Sequence, residues 1–188
     1  MLETGFEQHL SKGDNTFNFL TGLFFPAAKN KAAIKIQYKP LEFYKTDTIT
    51  RDLRAARDYE PKGYSFGDIY ISSFIQLMKN HDRLPDILLT LGLKTASGTN
   101  LGNARHTDAP GYYFELSFGK TYASELKVIN SWRPYFSGGF YSYQTNCSEY
   151  SQNDAFLYGL GIRLATVAGL IDNQIGGYVG YFEMGDRP

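Results

Sequence analysis

Cysteine and tryptophan occur once each in this chain of 188 residues, and methionine three times. The lone Cys147 excludes an internal disulfide and argues against a thiolate zinc site. Histidine is nearly as scarce: His9, His81 and His106 lie far apart without metal-ligand spacing, so neither a metal nor a cofactor is expected. An excess of either charge is missing too, since 19 Lys and Arg balance 19 Asp and Glu, and the basic footprint of a nucleic-acid binder is absent. No apolar run approaches the roughly 18 to 20 residues of a membrane-spanning helix. Met1 is followed at once by Leu2, Glu3 and Thr4, without the basic start and apolar centre of a secretory leader. The chain is then either cytoplasmic or a mature sequence with Met1 added, and the strand pattern favours the second.

What is abundant is aromatic. Tyr (15) and Phe (14) bring the aromatic share to 16%, which suits strands and also suits the two water interfaces of a barrel. Residues 86–120 show the pattern most clearly, as a strand (86–96), a Gly-rich loop (97–111) and a second strand (112–120). Ile87, Leu89, Leu91 and Leu93 share one face of the first, and Tyr112, Phe114, Leu116 and Phe118 one face of the second. Their other faces carry Thr90, Gly92 and Lys94, then Tyr113, Glu115, Ser117 and Gly119. The same alternation marks 16–25, 33–43, 68–78, 134–145, 154–166 and 174–183, with a weaker strand at 5–10. At Pro40 the apolar parity switches from Ile34, Ile36 and Tyr38 to Leu41 and Phe43, which implies a bulge or an edge.

One face therefore suits an apolar surround while the other is small, polar or ionic in mid-strand. The fold expected is all-β: an antiparallel up-and-down transmembrane β-barrel, residues 1–188 forming one barrel domain or fragment. Negative mean hydropathy does not oppose this, because a barrel strand is apolar only at alternate positions. Strands of about nine to eleven residues match a tilted bilayer crossing. Connections alternate between short (26–32, 79–85, 169–172) and long (44–67, 97–111, 146–153), and 121–132 fits only if its strands extend into it. About nine strands is an odd number and bacterial single-chain barrels have an even one, so the expectation is an incomplete barrel. The charged stretch 44–67 is the longest aperiodic segment; 50–59 within it suits a short helix capped near Thr50 or Asp52.

The run Leu93-Lys94-Thr95-Ala96-Ser97-Gly98, then Asn103-Ala104-Arg105, Asp108-Ala109-Pro110-Gly111-Tyr112-Tyr113-Phe114 and Gln152-Asn153-Asp154-Ala155-Phe156-Leu157-Tyr158-Gly159, resembles uncharacterised outer-membrane β-barrel proteins of Gram-negative, Bacteroidetes-type bacteria. The resemblance spans residues 68–188. It implies a cleaved leader, a cell outer membrane location and a porin-like barrel, with the lipid bilayer as partner. It supplies no catalytic residues.

Lys35, Lys39, Lys94, Glu115 and Arg163 fall on the polar faces and would point into a lumen, either lining a solute path or pairing within a plugged interior. Arg51, Arg54 and Arg57 in the 44–67 loop, with Arg105, His106 and Asp108 in the next, are the loop candidates. The function expected is a porin-like passive channel or small-solute binder, its selectivity set by lumen charges and long loops. One alternative is an integral lipid-modifying enzyme using Ser97, His106 and Asp108, although no nucleophile-elbow pattern surrounds Ser97 and the bland reading is loop turn chemistry. The other is a soluble β-barrel or β-sandwich that binds a ligand inside. Tyr135, Tyr141, Tyr143, Tyr150 and Tyr158 suit an interface girdle better than a sugar-stacking surface.

Overall fold

The computed structural model describes residues 1–29, 31–144 and 152–180. The strands are β1 (Leu2–Ser11), β2 (Asp14–Ala28), β3 (Ala32–Thr46), β4 (Lys62–Ser65), β5 (Ile69–Met78), β6 (Asp86–Lys94), β7 (Gly111–Gly119), β8 (Tyr122–Ala123), β9 (Ile129–Gln144), β10 (Gln152–Thr166) and β11 (Leu170–Gly180). One short helix, α1 (Thr48–Leu53), and a 3-10 turn at Leu101–Asn103 complete the elements. All strands join one antiparallel sheet in the order β1-β2-β3-β5-β6-β7-β9-β10-β11, with β4 on β3 and β8 on β9. The sheet curls into a half-barrel. Each strand of that path corresponds to one of the alternating segments in the sequence. Tyr150 and the polar connection around it, along with residues 181–188, lie outside the described residues.

Parity decides which side is which. Leu89 faces Leu116, Leu91 faces Phe114 and Leu93 faces Tyr112 across β6 and β7, while Thr90 faces Glu115 on the other side. The apolar rows lie on the convex face and are open: Phe6, Leu23, Phe114, Leu160 and Ile175 are all exposed. Cross-strand aromatic pairs stack along it, Phe118 on Phe136 at 4.9 Å and Phe114 on Phe140 at 6.0 Å. The concave side is polar and buried, with Asn18 at 1%, Ser65 at 1%, Asp68 at 2% and Thr16 at 3% exposure. Among the described residues only Tyr44, Ala104 and Ala155 are buried apolar side chains, and they form no greasy core.

The ends of the sheet differ. One end carries the compact turns at 79–85, 124–128 and 167–169, and the other carries the α1 arm and the 95–110 loop. The connection at 121–132 is shortened as expected, because β8 and β9 pair through Tyr122–Trp132 and Ala123–Ser131. Two expectations change. The segment 44–67 is not an aperiodic loop: β3 runs on to Thr46 and β4 returns along it, pairing Glu42 with Ser65 and Lys45 with Lys62. Its helix ends at Leu53, and the cap is Asp47, whose side chain accepts the Thr50 N–H at 2.8 Å.

Pro40 does make a bulge, not an edge. Phe19–Leu41 is followed by Thr21–Tyr38, so β3 holds the extra residue and its inward set moves from Lys35 and Lys39 to Glu42 and Tyr44. Pro40 has no N–H to give to a ladder. Opposite it the neighbouring strand is interrupted between β4 and β5, and Gly67 bonds Lys39 O across the gap at 2.8 Å. That interruption sets Asp68 on the concave side.

Gly92 illustrates the packing of that side. Its cross-strand partner is Tyr113, and a Cβ at Gly92 would lie 2.1 Å from the Tyr113 ring. The ring thus crosses the glycine, and its hydroxyl reaches Ser72 Oγ at 2.8 Å. Gly92→Leu should displace the ring and cost about 1–3 kcal/mol, with Tyr113→Phe costing about 1 kcal/mol. Equilibrium unfolding in denaturant measures both.

Candidate functional site

The two long connections meet over the concave face and lock together. Asp58 N–H donates to Gly102 O at 2.9 Å, Glu60 N–H to Asn103 Oδ1 at 2.8 Å, and Asn100 Nδ2 to Tyr44 Oη at 2.8 Å. Asn100 and Ala104 adopt left-handed backbone (φ 63° and 51°), which reverses the chain and sends Arg105 inward.

Arg105 is the centre of this plug. Its Nε donates to Glu42 Oε1 at 2.8 Å, Nη1 to Asp14 Oδ2 at 3.2 Å and Nη2 to Thr16 Oγ1 at 2.9 Å. The guanidinium also lies over the Tyr44 ring, 4.7 Å from its centre. Arg54, the C-cap of α1, reaches the same Asp14 at 2.5 Å. Burial opposes the charge on Arg105, but Glu42 and Asp14 outweigh it and hold its pKa above the ordinary value.

A second cluster sits beside it. Asp68 pairs with Lys94 at 2.9 Å, accepts the Gly98 N–H at 2.7 Å and stands 3.6 Å from His106 Nδ1. Burial pushes the Asp68 pKa up, yet His106, Lys94 and the Gly98 amide together bring it down to about 2.

Of the lumen candidates, Lys35 pairs with Glu3 at 2.7 Å, Lys39 with Glu7 at 2.9 Å, Lys94 with Asp68, and Arg163 with Asp172 at 2.5 Å. Among the described residues Glu115 accepts only from the Ser117 hydroxyl, at 3.1 Å. Of the loop candidates, Arg54, Arg105 and His106 come together, Arg51 pairs with its neighbour Asp52, and Arg57 and Asp108 are exposed. Ser97, His106 and Asp108 do not assemble: Ser97 Oγ bonds Ile69 N–H and Thr95, and Asp108 points to solvent. His106 instead lies between Asp68 and Ser65, whose Oγ is 3.5 Å from Nε2. That order imitates a hydrolytic triad, but Ser65 donates its proton to Glu42 at 2.9 Å and is almost wholly buried, which makes it part of the lock.

Parity places Glu42, between Leu41 and Phe43, on the inward face, and Tyr44 follows once β3 runs past Phe43. Asp68 shares the parity of Tyr70 and Ser72 and was legible in the same way, whereas Ser65 carried no such signal. The tyrosines divide: Tyr141 and Tyr143 stack inward at 4.9 Å and meet Tyr178 edge-on, Tyr135 is also inward, and Tyr158 is outward and exposed. The inward three are therefore no interface girdle. Among the described residues no group of acidic, His or Cys side chains is placed to hold a metal ion. No family model, curated protein or solved structure matches the chain.

Arg105→Ala leaves Asp14 and Glu42 buried without their shared cation and should cost about 3–5 kcal/mol, freeing the 95–110 loop to proteases. Arg105→Lys keeps the charge without the fork and should fall between. Because the Asp68 pKa is depressed, its contribution is present above the ordinary carboxylate value near 4 and is lost as pH falls towards 2. Acid titration of the Gly98 amide resonance should show that release, and Asp68→Asn should abolish it.

Proposed function

We propose that this chain forms the wall of an outer-membrane β-barrel of Gram-negative type, convex face against lipid, that acts as a small-solute binder. The observation that carries the reading is the inverted burial: ionic and hydroxyl side chains are enclosed on the concave side while Phe, Leu and Ile rows lie open on the convex one. An exposed apolar surface of this extent in water would be an aggregation hazard; in hydrocarbon it is the stable arrangement. Each inner strand of the described path is laddered to a neighbour on both sides, which leaves β1 and β11 as the two edges of the described sheet. Aromatic side chains at both ends of the convex face agree, with Tyr64 and Tyr112 towards the long loops and Tyr122 stacked on Trp132 at 4.8 Å towards the turns.

A binder fits better than an open passive channel. The long-loop end is filled by the Arg105 plug, whereas the turn end keeps a cavity of about 390 Å³. Selectivity then belongs to the charges around that hollow, with the loops acting as a lid.

Trp132 is the only tryptophan, and it lies on the outward face. The purified chain should require detergent and should insert into vesicles, where bromine placed on the upper acyl chain of the lipid quenches Trp132 fluorescence. Monodisperse behaviour in plain buffer, with Trp132 untouched by brominated lipid, would favour the soluble barrel instead.

A further inference from the structure

The cavity at the turn end has a reason to be hollow. Ser137 and Tyr135 line it, and each lies against a glycine of β10: a Cβ would stand 2.6 Å from Ser137 Oγ at Gly159 and 2.3 Å from the Tyr135 ring at Gly161. Ser137 and Tyr135 lie flat across those glycines, and the space above them stays open. The volume of about 390 Å³ is that of a small-molecule site.

Its charges are unequal. Two arginines and three carboxylates line it, leaving one negative charge. Arg133 is committed to Asp86 at 2.6 Å and Arg163 to Asp172 at 2.5 Å, with the Tyr135 hydroxyl also donating to Asp172 at 2.7 Å. Glu115 remains. Its cross-strand neighbours are Thr90 and Gly139, and among the described residues it forms no ion pair, both arginines of the hollow being held by Asp86 and Asp172. A half-buried carboxylate that holds only one hydroxyl is a strong acceptor waiting for a charged donor.

Resting on the reading of the concave face as a lumen, we propose that this hollow binds a small organic cation bearing hydroxyls, an amino sugar or amino alcohol, whose ammonium pairs with Glu115. Its hydroxyls meet Ser117, Ser137, Gln76 and Gln174, which line the same space. An anion finds both guanidinium groups already engaged, and a neutral sugar leaves Glu115 unpaired. A bare metal ion finds a single unpaired carboxylate in a space many times its size.

Calorimetric titration of the full chain in detergent micelles with glucosamine, glucose and gluconate tests this. Glucosamine should bind at least about tenfold more tightly than glucose, gluconate should not bind, and Glu115→Gln should bring glucosamine down to the glucose level. Gln174→Lys, a change on the exposed edge strand that supplies a competing cation, should cause the same loss and covers the case in which the glutamine variant does not fold. Equal binding of glucose and glucosamine, no binding of glucosamine, or unchanged affinity in both variants overturns the proposal. Glucosamine binding by a chain that needs no detergent would keep this site and remove the membrane reading; vesicle insertion without glucosamine binding would do the reverse.

Discussion

Because neighbouring residues on a strand look in opposite directions, a sheet that curls its polar side inward has to hold that side together with hydrogen bonds and ion pairs. Here the principal one is the guanidinium of Arg105 against Glu42, Asp14 and Thr16, which joins a loop after β6 to β2 and β3. Lys94 with Asp68 and Lys39 with Glu7 extend the network along the same face. Buried pairs of this kind contribute modestly to net stability but are expensive to break singly, so they specify which loop docks where. Dispersion among enclosed apolar side chains, the usual source of cohesion, is here left to whatever surrounds the convex face.

The plug owes its position to a single backbone irregularity. Pro40 ends regular pairing in the middle of β3, the extra residue switches the inward set to Glu42 and Tyr44, and the facing strand divides into β4 and β5. Asp68 falls at that division and meets Lys94 and His106. The long-loop end is thereby filled, while Ser137 and Tyr135, set against Gly159 and Gly161 of β10, leave the turn end hollow.

Much of this was legible as alternation. The strands around Leu91, Phe114 and Leu160, the bulge at Pro40 and the shortening of the 121–132 connection all follow from period-two patterns and turn chemistry. In the α1 arm a short helix was legible, though placed too far along, but the return strand was not, because dense charge between Lys45 and Lys62 hides the short β4, whose few residues give too little periodicity. The lock was only half legible: Arg105 and His106 stand out in a Gly-rich loop, but their partners Asp14, Glu42, Ser65 and Asp68 are distant in sequence. The pairing of Ser97 with His106 assumed that closeness in sequence means closeness in space, and Asn100 and Ala104 turn the loop so that it does not.

The account's central claim is the direction each side chain faces, and spin labels placed one at a time at 156 to 163 on β10, in lipid vesicles, test it most directly. Labels replacing Phe156, Tyr158, Leu160 and Ile162 should collide freely with dissolved oxygen and be shielded from a water-soluble nickel chelate, while those at Leu157, Gly159, Gly161 and Arg163 should be less accessible to oxygen. An even profile along the strand, or outward positions that respond to the nickel chelate, would contradict it.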